Sequence, residues 1–203
     1  MAYPTGTELI DALVLRGVFE TPSHPTATFS AIMSGIVQRF ERETGWVPFL
    51  SAGSDSSRTF DPPHGSHILF LNAGLVSIDE ITVTDDVQTV EEHYWPKPST
   101  VPYTRIDFSY VPGGNPSSIE ITGEWGYCDT LPADVTSALL NAGIAEYLRT
   151  VSNPFVGIGG APKRIKQDDV EKDYGDNGGL VRLFDAEYQN CVARYLAPWK
   201  VLA

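Results

Sequence analysis

The chain has 203 residues, 42% of them hydrophobic and 20% charged, a composition that buries a core and excludes intrinsic disorder. Acidic residues outnumber basic ones 26 to 14, for a formal charge of −12, which argues against a protein that clamps nucleic acid through Lys and Arg. Such a surface can still surround a duplex that must slide past without adhering.

The N-terminus lacks the basic-then-apolar layout of a signal peptide, and no uncharged apolar run approaches membrane-spanning length, so the expectation is synthesis in the cytosol and no membrane. Thr5 and Glu8 have capping-box spacing, and Leu9, Ile10, Leu13 and Val14 then mark one face of a short helix ended by Gly17. Thr26 or Thr28 caps a second helix, whose Phe29, Ile32, Met33, Ile36, Val37 and Phe40 recur at three- and four-residue steps. Gly45 is a left-handed stop, and Trp46 is expected to fold back on this helix.

From about 51 to 127 the pattern changes to short alternating or apolar runs cut by Gly, Pro, Asn and Asp, which predicts an antiparallel β unit. Candidate strands are 67–72, 75–84, 103–110 and 117–125. Asn72-Ala73-Gly74 reads as a tight hairpin turn, Gly113-Gly114-Asn115-Pro116 as a longer one, and Pro96 to Pro102 as an exposed loop.

Helical signals return at Leu131-Pro132-Ala133-Asp134. Pro132 suits a first helical position and Asp134 the positive end of the helix dipole. The helix that follows is apolar on two sides and is expected to be the central one. The Gly157 to Gly160 loop lacks the ending of a phosphate-binding loop and reads as a connector. Ile165 and Val170 are too sparse for a central strand, so Lys163 to Tyr174 reads as an edge strand or hairpin. Asn177-Gly178-Gly179 breaks the chain, and Leu180, Val181, Phe184, Tyr188, Cys191, Val192 and Tyr195 make a last amphipathic helix ending before Pro198.

The fold class expected is α+β: a small bundle of about four helices with an antiparallel β insertion between the second and third main helices. The helical core takes 1–50 and 130–203, and the insertion takes 51–129.

Chemistry is sparse. His64 and His67, with His93 elsewhere in the β unit, form the best metal-like group, but a transition-metal site needs three or four converging ligands, so they read as turn or surface histidines. Cys128 and Cys191 sit among aromatic and apolar neighbours and read as buried free thiols. No nucleophile elbow is present, and paired carboxylates such as Asp85-Asp86, Glu91-Glu92 and Asp168-Asp169 read as solvated charge. No residue set supports an enzyme, and no cofactor or metal is implied. The rival to this reading is a small hydrolase or carbohydrate-binding module on the β unit, with a concave pocket around His64 and His67.

One arrangement has a recognisable form. A strand ending Gly123-Glu124-Trp125-Gly126 is followed by a short loop, then Pro132-Ala133-Asp134-Val135, then an Ala-rich helix carrying Ala138, Ala142 and Ala145. Gly123 and Gly126 let the strand turn, and Trp125 can fill the gap between strand and helix. With the early helix ending Glu43-Thr44-Gly45-Trp46 and the charged segment before the last helix, this order resembles the head-tail connector (adaptor) family of tailed bacteriophages, in an elaborated type with a β insertion. The resemblance implies a structural virion protein of the neck, made in the host cytoplasm. Its subunits would form a ring beneath the portal protein, extend the DNA channel, and give tail or stopper proteins a docking platform. Its partners would be identical subunits, portal, and tail or stopper protein, with DNA only in transit. A tail-completion, stopper or minor capsid protein is the alternative within the virion.

Within that reading, Tyr195, Leu196, Trp199 and Val201 are the candidates for portal docking, with packing back on the chain's own core as the competing role. Asp168, Asp169, Glu171 and Asp173 are the candidates for an acidic channel lining. The β insertion is expected to contact a neighbouring virion protein or enlarge the ring's wall, through exposed loops carrying Tyr94, Trp95 and Tyr103.

Overall fold

The computed structural model describes residues 2–16, 24–150, 164–167, 170–173 and 177–200. In chain order its elements are α1 (Gly6–Leu15), α2 (Thr26–Thr44), β1 (Ser56–Phe60), β2 (Ile68–Val83), β3 (Asp86–Val87), β4 (Tyr94–Lys97), β5 (Tyr103–Phe108), β6 (Ile119–Trp125), α3 (Ala133–Thr150), β7 (Arg164–Gln167), β8 (Val170–Asp173) and α4 (Asn177–Arg194), with a 3-10 turn at Pro198–Lys200. The fold is α+β, with the antiparallel strands inserted between the second and third helices. Two compact units result. One comprises Tyr3–Thr44 and Pro132–Leu196; the other comprises Met1–Ala2, Gly45–Leu131 and Ala197–Ala203.

In the helical unit the capping box at the start of α1 is complete. The Thr5 hydroxyl accepts from the Glu8 N–H, and the Glu8 carboxylate accepts from the Thr5 N–H at 2.7 Å, satisfying two otherwise orphaned donors. Leu9 and Leu13 are buried, whereas Val14, on the predicted apolar face, is exposed. Neither Thr26 nor Thr28 caps α2 from outside, because both lie inside it. The Pro25 carbonyl takes the Thr28 N–H at 2.9 Å, and proline's fixed φ lets the helix begin at the next residue. Phe29, Met33, Ile36 and Phe40 are buried as their periodicity predicts. Gly45 ends α2 at φ +86°, a conformation that costs glycine nothing.

Helix α3 follows Pro132, whose carbonyl accepts the Thr136 N–H, and it is buried on two sides, with Leu139, Ala142, Ile144 and Tyr147 all inside. At Gly143 a Cβ would lie 2.8 Å from Met33 Sδ and 3.2 Å from Leu9 Cδ1, so hydrogen at this position is what lets α1 and α2 approach α3. Strands β7 and β8 form the hairpin expected between α3 and α4. Helix α4 does not wait for Leu180. It begins at Asn177 and runs through Gly178 and Gly179, since glycine's helix penalty is smallest in the first turn, where backbone donors lack intrahelical partners anyway. Phe184, Tyr188, Cys191 and Val192 are buried, but Leu180, placed on the same face by sequence, is exposed.

The larger sheet has the order β1-β6-β2-β5-β4, with β3 on β2, all pairs antiparallel. The hairpin turn expected at Asn72-Ala73-Gly74 does not exist. A single strand of 16 residues, β2, runs straight through it. The register shifts between Phe70 and Leu75, and Asn72 takes φ +39°. A bulge and a turn draw on the same residues with φ above zero, and the local sequence does not separate them. The irregularity divides the strand's partners: β5 pairs with Ile68 to Leu75, and β6 pairs with Leu75 to Val83. Leu69, Leu71 and Ile106 from one half and Ile81, Ile119 and Ile121 from the other enter a single apolar cluster.

Strands β1, β3 and β4 were not legible as strands. In β4, Pro96 and Lys97 occupy part of the expected exposed loop, and a proline is tolerated there because the strand is at an edge. Tyr94, expected on an exposed loop, is buried in the apolar cluster. Trp125 is buried in the sheet's apolar cluster. Its indole N–H donates to the Ser56 carbonyl at 2.8 Å, and the Arg58 guanidinium lies 4.3 Å over its ring, both within the β unit. At Gly123 the chain is not turning. A Cβ there would strike the Ser77 carbonyl oxygen, so the residue serves close strand approach.

Candidate assembly surfaces

The four candidate docking residues have different surroundings. Tyr195 is half-buried, and its hydroxyl donates to Asp134 at 2.9 Å to Oδ1 and 3.1 Å to Oδ2. The same carboxylate receives Arg194 Nη1 at 2.6 Å and the Val135 N–H at 3.0 Å, so one Asp at the start of α3 ties down the end of α4. Burial works to raise the Asp134 pKa. The hydrogen bonds from Tyr195, Arg194 and Val135, with the Arg194 charge, outweigh it and hold the carboxyl below its ordinary value.

Leu196 is exposed, with 38% of its surface accessible. Trp199 packs on its own chain: its ring stands edge-on to Trp46 at 4.7 Å between centroids, and its indole N–H donates to the Gly45 carbonyl at 3.3 Å. Trp46 in turn meets Tyr127 at 5.1 Å, and Tyr127 stacks on Phe49 at 4.7 Å, a continuous aromatic file within the β unit. The sequence placed Trp46 on the preceding helix and did not reveal this file, which joins Trp46 and Phe49 to the distant Tyr127 and Trp199. Val201 lies outside the described residues.

Of the candidate channel residues, Asp168 and Asp169 also lie outside the described residues. Glu171 and Asp173 are in β8, at register positions opposite Lys166 and Arg164. The Gly157 to Gly160 loop is outside the description as well.

His64 and His67 are exposed, and His93 accepts the Thr89 N–H on Nδ1 at 2.9 Å. Among the described residues no group of three or more His, Cys, Asp or Glu could hold a metal ion, and no helix is long and apolar enough to cross a membrane. Cys128 and Cys191 are both free; Cys191 is buried and Cys128 only partly so. Burial first, then the Asp129 charge, pushes the Cys128 thiol up to about 11. Burial and Asp134 push Cys191 up to about 11 as well. Neither is an activated nucleophile. A cleft of about 440 Å³ in the helical unit is lined by Tyr3, Pro4, Ser30, Met33 and Val37, with no acid or base at its walls.

The geometry thus defines an α+β chain with an antiparallel β unit inserted between its second and third helices. No family model matches the sequence, and no curated protein does. Solved structures share the fold. A chain from the structure titled "Neck of empty GTA particle computed with C6 symmetry" aligns at TM-score 0.53 and 18% identity, over 80% of this chain and 86% of that one. A chain from the "Virion of native gene transfer agent (GTA) particle" aligns at TM-score 0.51 and 16% identity, over 91% and 92%. At these identities the likeness is one of fold.

Proposed function

We propose that this protein is a structural subunit of a virion neck: a head-to-tail connector whose copies form a ring beneath the portal, extend the DNA channel and present a platform for tail or stopper proteins. The observation that carries this reading is the near end-to-end match to a gene-transfer-agent virion chain, 91% of this chain against 92% of that one, which includes the β unit as well as the helices. The second match, to a neck computed with C6 symmetry, supports a closed ring built from unlike faces of identical copies. The connector-like order from Gly123 through Ala145 points the same way from sequence.

In this reading Leu196, with Tyr195 beside it and Val201 beyond, docks the portal, while Trp199 anchors the segment that carries them to the Gly45–Trp46 turn. Asp168, Asp169, Glu171 and Asp173 line the channel, where like charge keeps DNA in transit from adhering. The protein acts by assembly, not catalysis. Electron microscopy of the purified protein with and without portal tests it. An annular complex stacked coaxially on portal is the expected result, and a protein that stays monomeric beside portal at micromolar concentration rejects it.

A further inference from the structure

The end of the β unit formed by the β2–β3 turn and the loops after β3 and β5 carries an apolar patch inside an acidic rim. Val87, Val90 and Val111 leave 61%, 51% and 55% of their surfaces exposed, and Tyr110 leaves 39%. Specific bonds bring these loops together. The Tyr110 hydroxyl donates to Gln88 Oε1 at 2.9 Å, the Ser109 N–H to the His93 carbonyl at 2.8 Å, and the Thr84 N–H to the Ser118 carbonyl at 2.8 Å. Burial, then the nearby charge of Asp86, raises the Tyr110 phenol above its ordinary value. Asp85, Asp86, Glu91 and Glu92 are all exposed around the valines. The sequence has no Lys or Arg between Arg58 and Lys97, and none in the loop from Ser109 to Ser118, so neither stretch supplies a compensating cation.

Apolar groups gathered on one tip are ordinarily covered by a partner, and the rim fixes the partner's charge. A second copy of this chain does not fit. It carries the same −12 charge, and its described arginines are largely engaged: Arg39 with Glu43, Arg105 with Asp107, Arg149 with Asp185, Arg194 with Asp134, and Arg58 over Trp125. We infer that this tip docks a different protein, one that presents an apolar centre rimmed by lysine or arginine. The inference stands apart from the ring, since it concerns one subunit and one surface.

The test uses the full-length chain and a fluorescent amphipathic peptide of leucine and lysine as the probe, read by anisotropy. Two variants address the patch: Val87→Ser with Val90→Ser and Val111→Ser, and Asp86→Asn with Glu91→Gln and Glu92→Gln. Each is expected to weaken binding tenfold or more, an all-lysine peptide of equal charge to bind at least tenfold more weakly, and Glu80→Gln with Glu120→Gln on the sheet to change affinity less than twofold. Thermal melts establish that each variant is folded. Unchanged affinity in either patch variant, equal loss in the sheet control, or a concentration-dependent self-association abolished by the patch substitutions overturns the inference. Failure of the ring reading shows separately, as absence of an annular complex on portal.

Discussion

Trp199 meets Trp46 edge-on, 4.7 Å between ring centroids, and its indole N–H donates to the carbonyl of Gly45, the residue before that partner. Trp46 is buried and Trp199 half-buried, so truncation is felt unequally. Trp46→Ala is expected to cost about 3–5 kcal/mol and Trp199→Ala about 2 kcal/mol, read as shifts in the urea midpoint. Equal, negligible shifts would show that the segment is not anchored there.

Leu196 separates docking from stability. It is exposed, so Leu196→Glu is expected to move stability by less than about 0.5 kcal/mol while abolishing association with portal in a sedimentation assay. Retained association with portal removes Leu196 from the docking surface.

Both thiols are pushed up to about 11. At pH 8 that leaves roughly one thiolate in a thousand, against about a quarter for an ordinary cysteine. Ellman's reagent is expected to react at least a hundredfold more slowly with the native protein than with the guanidinium-unfolded chain, with Cys191 slower than Cys128. A fast native phase of either thiol contradicts this.

The depressed carboxyl of Asp134 couples the α3–α4 contact to acid. A carboxyl lowered in the folded state adds stability above its unfolded pKa, and that contribution is lost as pH falls through the folded value. With 39% of the Asp134 side chain and 65% of Arg194 accessible, solvent screens the pair, so Asp134→Asn is expected to cost under about 1 kcal/mol. The difference between wild type and variant should be full at neutral pH and shrink below the ordinary carboxylate value of 3.8, a trend that parallel denaturant titrations across pH resolve.

Thr84 and Asp85 form the two-residue link between β2 and β3 with φ of +52° and +69°, the left-handed region that glycine favours. Asp85→Gly is expected to raise stability by about 1 kcal/mol, measured as a higher thermal midpoint.

The helices were legible where burial follows a single periodic face, as in Phe29, Met33, Ile36 and Phe40, and where a cap is local, as at Thr5 and Glu8. The β unit was legible as a unit, but its connectivity was not. Asn72-Ala73-Gly74 has turn chemistry, and only its pairing with distant β5 and β6 makes it a bulge. Strand β1 is polar and gains its place from β6, a contact that no local pattern encodes. For the candidate surfaces, Trp199 was legible as apolar but not as the partner of Trp46. Val87, Val90 and Val111 gave no periodic signal, although the absence of Lys and Arg from Arg58 to Lys97 was there to be read.

The uninterrupted run of β2 through its bulge has a consequence for how the β unit comes apart. Because the same backbone supplies ladder partners to β5 on one side of the irregularity and to β6 on the other, neither half owns a private strand to surrender. Both ladders pack into one apolar cluster, so the two halves are expected to melt together, with the amide protons of Ile106 and Ile121 exchanging through one shared opening in a hydrogen-exchange measurement.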